Sequence, residues 1–152
     1  MQKILISACL LGEKVRFDGK SKKINAKILE IWQAENRLIL LCPEVAGGLP
    51  IPRAPAEIQG EFVINIHNDD VSEAFAQGAH KSLKLCQQHG IRIAILKEGS
   101  PSCGVTQIND GTFSHTKIAG QGVTTRLLQK HGVKVFSEHQ LNEAQTYLQR
   151  VL

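Results

Sequence analysis

Leu38-Ile39-Leu40-Leu41 runs straight into Cys42-Pro43-Glu44-Val45-Ala46-Gly47-Gly48-Leu49-Pro50-Ile51-Pro52-Arg53-Ala54-Pro55-Ala56-Glu57. Four aliphatic residues that stop at a proline, with glycines close behind, make a buried strand passing into a constrained loop. The loop opens on a cysteine, and a carboxylate, Glu44, follows two residues later. Three of the chain's five prolines, Pro50, Pro52 and Pro55, then fix φ over the next stretch. Gly47-Gly48 calls for a positive φ or for backbone brought close to another group. Alone, this is a rigid surface loop with a half-buried cysteine. Two other stretches change that reading.

On the amino-terminal side, Ile4-Leu5-Ile6 makes a strand ending at Cys9, followed by the basic loop Lys14 to Lys23. Ile24, Ile28, Leu29, Ile31 and Trp32 recur at helical spacing and predict a helix ending near Asn36. On the other side, residues 61–66 read as a strand, and Asp70-Val71-Ser72-Glu73 has capping-box spacing. A long helix follows with Val71, Phe75, Ala79, Leu83 and Cys86 on its apolar stripe, stopped by Gly90. Residues 91–96 form the next strand; then come Gly99-Ser100-Pro101-Ser102-Cys103-Gly104 and a hairpin turning at Asn109-Asp110-Gly111. Gly120-Gln121-Gly122 opens another helix. His131-Gly132-Val133-Lys134-Val135 echoes His89-Gly90-Ile91-Arg92-Ile93, each a helix stopped by glycine and passing into a strand. A last helix follows Ser137-Glu138-His139-Gln140 and presents Leu141, Ala144, Leu148 and Leu152. Strands alternating with helices predict an α/β fold: a single Rossmann-like domain over 1–152, its mostly parallel sheet flanked by helices.

The chain has 152 residues, 42 % of them hydrophobic, which is ample for a core of its own. No run approaches the roughly 18 apolar residues of a membrane span, and the first residues lack a signal-peptide pattern. A cytoplasmic, membrane-free protein is expected, in which four cysteines are thiols or metal ligands rather than disulfides. The net charge of +4 suits a phosphorylated small molecule or weak RNA contact and diagnoses neither.

Cys9, Cys42 and Cys103 each fall at, or a few residues beyond, the carboxyl end of a predicted buried strand. In a parallel sheet those ends open on one side, where such folds bind ligands. Cys86, on a helix stripe, is read as a small buried hydrophobe. Three thiolates without a fourth point to a metal centre with one open position, the mark of a catalytic site. Soft thiolates favour zinc, copper(I) or an iron–sulfur cluster, and spacing does not choose among them. His115 is a candidate fourth ligand. Glu44, beside an open metal site, has the chemistry of a general base. Ser100, three residues before Cys103, adds a hydroxyl.

Cys9-Leu10-Leu11-Gly12 with Val15-Arg16-Phe17-Asp18-Gly19, then Cys42-Pro43-Glu44 with Gly47-Gly48-Leu49 and Pro52-Arg53, then Ser100-Pro101-Ser102-Cys103-Gly104, occur in one order. That order resembles the single-domain thiouracil desulfidase family, long catalogued only as a domain of unknown function. The likeness covers nearly the whole chain, through Gly120-Gln121-Gly122-Val123-Thr124, and departs from it at Phe17, where tyrosine is expected. The resemblance implies a [4Fe-4S] cluster held by Cys9, Cys42 and Cys103, its fourth iron open to substrate sulfur, with Glu44 and Ser100 as the catalytic pair. It implies non-redox desulfuration of small thiolated uracils, free 2- or 4-thiouracil or 4-thiouridine monophosphate, with release of hydrogen sulfide. A longer relative that acts on tRNA carries an added domain, so intact tRNA is not an expected partner.

Substrate-binding candidates are Gly47, Gly48, Arg53, Ser102, Gly120 and Gly122. Gly120-x-Gly122 offers helix amides to a phosphate, and Arg16 and Arg53 offer charge, although Arg53 equally suits a brace that binds loop carbonyls or Glu57. Two other classes compete. One is a three-cysteine zinc hydrolase or deaminase, against which stands the absence of His-x-Glu and Pro-Cys-x-x-Cys. The other is a non-enzymatic iron–sulfur redox sensor.

Overall fold

Ile4-Leu5-Ile6 and Ile93-Ala94-Ile95-Leu96 are apolar on both sides because helices cover both faces of the sheet they form. The structure is a computed structural model and describes residues 1–150; Leu152, expected on the last helix, lies outside the described residues. In chain order the elements are β1 (Ile4–Ser7), a 3₁₀ turn (Ala8–Leu11), α1 (Lys27–Ala34), β2 (Leu38–Leu41), α2 (Pro43–Ala46), β3 (Ala56–Gln59) and β4 (Phe62–Asn65). They continue with α3 (Ser72–His89), β5 (Ile93–Leu96), β6 (Gln107–Asn109), β7 (Lys117–Ala119), α4 (Val123–Lys130), β8 (Lys134–Ser137) and α5 (Leu141–Arg150).

The main sheet has the order β2-β1-β5-β8, all parallel, with Ile4 opposite Leu38, Leu5 opposite Ala94 and Ile95 opposite Phe136. Side chains alternate along a strand, so Ile4, Ile6, Ile93 and Ile95 pack with Leu29 and Trp32 of α1 and Ala144 and Leu148 of α5. Leu5, Ala94 and Leu96 face the other way, onto Leu83 and Cys86 of α3 and Leu128 of α4. This is the doubly covered parallel sheet that the alternating pattern predicts. Cys86 is 2 % exposed within that second core, as its place on the stripe requires. From β1 the chain moves to β2 on one side, and from β5 to β8 on the other. The carboxyl ends of β1 and β5 therefore flank a crevice at the point where the strand order reverses.

Several local expectations are corrected. The proline-rich stretch is not loop throughout: Pro43, in first position, starts the one-turn helix α2. Its last residues form β3, which pairs antiparallel with β4 in a hairpin outside the main sheet. The strand expected at 91–96 begins at Ile93. Asp70 does not cap α3 through a capping box. It accepts the Ser72 N–H at 2.9 Å, while Ser72 Oγ accepts the Val63 N–H at 2.8 Å, so α3 is tied to β4 instead. The hairpin expected at Asn109-Asp110-Gly111 is wider: β6 and β7 flank residues 110–116.

Gly47-Gly48 meets both of its expected needs. Gly48 has φ +98°, and Gly47 lies against the backbone of α3, where a Cβ would overlap the Ala74 carbonyl. Gly78, inside α3, is the reciprocal case, since a Cβ there would overlap the Pro43 carbonyl. Glycine inside a helix ordinarily costs about 1 kcal/mol relative to alanine. Here it lets two backbones meet directly beneath the Cys42 turn. Gly78→Ala should therefore destabilise the protein by about 1–3 kcal/mol despite the better helix propensity of alanine. The check is thermal or urea unfolding; a raised midpoint would show that the helix moves aside without loss.

Candidate active site

β2, β1 and β5 are neighbours, and the segments that leave their carboxyl ends bring Cys42, Cys9 and Cys103 to one cavity of about 540 Å³. Glu44 and Ser100 line the same cavity. Cys9 sits in the 3₁₀ turn that follows β1, a turn closed by Gly12 at φ +98°, which donates to the Ala8 and Cys9 carbonyls. Cys42 is the residue before α2. Cys103 lies in the loop between β5 and β6, buried.

Burial pushes the Cys9 thiol up to about 11; the neighbouring Cys42 raises it too, and Lys97 and Arg16 work against the rise. Burial also raises Cys42, opposed by the amides of Val45 and Glu44 and by Arg53. Cys103 is pushed furthest, by burial first and then by the charges of Cys42, Glu44 and Cys9, with only the Ser7 hydroxyl opposing. Cys9 thus feels Cys42, and Cys103 feels both. As free groups they stay protonated, and a bound cation is what would hold all three as thiolates.

Arg53 braces the Glu44 turn. Its Nε donates to Glu44 Oε1 at 2.9 Å, its Nη2 to the Val15 carbonyl at 2.9 Å and its Nη1 to the Pro50 carbonyl at 3.2 Å. The Arg53 side chain is only 6 % exposed, and Glu57 is not its partner. Glu57 instead accepts the Gly111 and Phe113 N–H groups at 3.0 and 3.1 Å. Ser100 Oγ accepts two N–H bonds, from Ser102 at 3.1 Å and from Cys103 at 3.0 Å. A hydroxyl has two lone pairs and one proton. With both lone pairs engaged, the Ser100 proton is left to point at Glu44 Oε2, 3.5 Å away.

The other binding candidates lie elsewhere. Ser102 is 1 % exposed, and its hydroxyl bonds Thr124 Oγ1 at 2.9 Å. Gly122, Val123 and Thr124 donate their N–H groups to the Gly104, Pro101 and Ser102 carbonyls, each at 2.9 Å. The amino end of α4 is thereby filled by the Cys103 turn, and a Cβ on Gly122 would overlap the Ser102 backbone. Gly120 packs on Ile108, with a would-be Cβ at 3.0 Å. These residues, with Gly47 and Gly48, form the frame behind the cavity and do not line it. Arg16 does line it, held by Asp18 at 3.6 Å and lying 5.8 Å from the Phe17 ring centre. His115 lines it at φ +60°.

The sequence reading missed Ser7, Lys97, Glu98, Asn109, Phe113 and Lys117, which also line the cavity. Lys97-Glu98 carried a usable signal, two charges directly after a fully buried strand. Glu98 is buried and accepts N–H bonds from Val105 at 2.7 Å, Thr106 at 3.0 Å and Gln107 at 3.2 Å. Lys97 Nζ sits 3.2 Å from Glu138 Oε2.

The family model described as 2-thiouracil desulfurase matches residues 4–140. The chain is 41 % identical over 150 residues to the uncharacterized protein YbbK of Bacillus subtilis (strain 168), covering 92 % of this chain and 98 % of that protein. It is also similar to the solved structure of a [4Fe-4S]-dependent thiouracil desulfidase, TudS. That similarity has a TM-score of 0.97 at 52 % identity and covers 98 % of this chain and 99 % of the other. No helix among the described residues is long and apolar enough to cross a membrane. Matched over most of its length, and with three thiols, a carboxylate and a hydroxyl on one cavity, this chain belongs to the 2-thiouracil desulfurase family.

Proposed function

We propose that this chain hydrolyses the carbon–sulfur bond of small thiolated uracils in the cytoplasm, converting 2- or 4-thiouracil or 4-thiouridine monophosphate to the oxo form with release of hydrogen sulfide. Intact tRNA is not part of this reading. The observation that carries it is the convergence of Cys9, Cys42 and Cys103, from three adjacent strand ends, beside Glu44 and Ser100.

The residues suit a [4Fe-4S] cluster held by the three cysteines. Cys9, Cys42 and Cys103 put three soft donors on one cavity, the donor chemistry of an iron–sulfur or zinc centre, and the similarity to a [4Fe-4S]-dependent desulfidase favours the cluster. A sensor, in turn, has no use for a carboxylate and an oriented hydroxyl at the thiols. When bound, the cluster supplies a soft Lewis-acidic iron with a free position for the thiocarbonyl sulfur.

The protein groups do the rest. Glu44, clamped by Arg53, takes a proton from water as the oxygen adds to the ring carbon that bears sulfur. Ser100, able only to donate, returns a proton toward the departing sulfur and is resupplied through Glu44. The carbon–oxygen bond forms, the carbon–sulfur bond breaks, and no electron is exchanged with an outside donor.

Anaerobically reconstituted protein, supplied with each thiouracil and with 4-thiouridine monophosphate, should release sulfide and the oxo pyrimidine in equal amounts. Iron retained without sulfide release from any of the three would leave the sensor reading standing. Alanine at Cys9, Cys42 or Cys103 should abolish both iron retention and turnover, whereas Cys86→Ala should keep both; iron analysis after desalting reads the difference. Glu44→Gln should retain iron and slow turnover by about 10²–10⁴. A rate within a few-fold of the parent at matched iron would remove Glu44 from the reaction.

A further inference from the structure

Of the chain's five phenylalanines, Phe75 and Phe136 are buried, and Phe62 stands exposed on β4. The other two, Phe17 and Phe113, both line the cavity that holds the thiols. Phe17 belongs to the loop after Cys9, and its ring already has company, the Arg16 guanidinium 5.8 Å from its centre. Phe113 comes from the loop between β6 and β7, and among the described residues its ring meets no aromatic or cationic partner. It is half-buried and forms part of the cavity wall.

The backbone that presents this ring is held against its own preference. Phe113 has φ +57°, a region that bulky residues avoid. Its N–H donates to Glu57 Oε1 at 3.1 Å, and the same oxygen accepts the Gly111 N–H at 3.0 Å. Glu57 is buried on β3, so a carboxylate from the other hairpin fixes this loop. Within the loop, the Asp110 N–H donates to the Thr116 carbonyl at 2.9 Å. The hydroxyls of Thr112, Ser114 and Thr116 follow one another at 2.6 and 2.8 Å. Strained backbone that its surroundings hold in place points to function. A wall fixed in this way also need not be ordered when a ligand arrives.

We propose that Phe113 is a specificity-determining residue of the site, its ring being the face on which the flat pyrimidine stacks, and that Glu57 positions it through the loop amides. This rests on the desulfidase reading above. A pyrimidine offers a π-face whichever carbon carries sulfur, so one stacking surface serves 2-thiouracil, 4-thiouracil and the nucleotide alike. The same face limits the substrate. A saturated ring with the same carbonyls and N–H groups is puckered and loses the stack. The site therefore selects flat, conjugated thiocarbonyl rings over saturated ones.

The test uses holoenzyme with matched iron content and two sulfur-free ligands, uracil and 5,6-dihydrouracil, which share one hydrogen-bonding edge and differ in flatness. Affinities are read by ligand-observed NMR, with kcat and KM on 2-thiouracil measured alongside. The parent should bind uracil about five- to a hundredfold more tightly than dihydrouracil. Phe113→Leu, which keeps apolar bulk, should weaken uracil by about five- to fiftyfold while dihydrouracil stays within about threefold. KM for 2-thiouracil should rise in step, with kcat changed less. Phe113→Tyr, which keeps the ring, should stay within about threefold of the parent on both ligands and guards against a leucine variant that fails to fold. Glu57→Ala should reproduce the loss of uracil, Glu57→Gln, which keeps Oε1 as acceptor, should restore most of it, and Glu57→Ala added to Phe113→Leu should cost little more. Fully additive losses would overturn the part given to Glu57. No preference for uracil in the parent, uracil affinity within about twofold of the parent in Phe113→Leu, or an equal loss of both ligands there would overturn the assignment of Phe113. Phe113-dependent uracil binding without any sulfide release would sustain it while removing the desulfidase reading.

Discussion

Glu98 stands two residues beyond β5, the fully buried strand Ile93–Leu96, and turns its carboxylate back under the loop that follows, accepting N–H groups from Val105, Thr106 and Gln107 and the Thr106 hydroxyl. The loop so closed carries Ser100 and Cys103. Burial alone would raise the Glu98 carboxyl; the hydrogen bonds from Thr106, Val105 and Gln107 outweigh it and hold the group below its usual range. The stabilisation is therefore present at neutral pH and is lost as acid protonates the carboxylate. From behind, the Glu98 N–H donates to Glu138 Oε1 at 2.7 Å, which ties the same point to the segment after β8.

The other two thiols are held by different means. Cys9 needs only a tight turn, because β1 is central in the sheet and its end is surrounded. Cys42 leaves an edge strand, so its turn has fewer neighbours and is fastened from two sides. Gly47 and Gly78 let α2 and α3 meet backbone to backbone, and Arg53 bridges Glu44 to the Val15 and Pro50 carbonyls. The arginine thus serves the chemistry at one remove. It sets where the Glu44 oxygens stand, one toward itself and one toward Ser100.

Electrostatics opposes thiolate formation at this site. Burial raises all three thiols, Cys42 raises Cys9, and both of them raise Cys103, while the cations nearby, Lys97 and Arg16 at Cys9 and Arg53 at Cys42, work against the rise. Such a cluster of thiols favours a multiply charged metal centre that removes all three protons at once. The same crowding argues for rigidity, since each thiol is placed by a separate segment and no single loop can adjust for the others.

The alternation of aliphatic runs with helical stripes was enough to establish the parallel sheet and its two covered faces, because burial on both sides leaves strands with no polar alternation to hide. Strand polarity then sufficed to bring Cys9, Cys42 and Cys103 to one rim, with Glu44 and Ser100 beside them. Three other features depended on tertiary contact. Gly120-x-Gly122 looked like an anion site, yet its amides are taken by carbonyls some twenty residues earlier, which local spacing does not reveal. Arg53 suited either a phosphate reader or a brace for loop carbonyls, and its contacts are those of the brace, to Glu44 and the Pro50 carbonyl nearby and to the Val15 carbonyl in the loop after Cys9. Asn109, Phe113 and Lys117 were passed over because a short hairpin of three-residue strands carries little periodic signal. Which of its faces meets the cavity is settled by the packing of Ile108 on Gly104 and Gly120, a contact between segments that no single stretch of sequence contains.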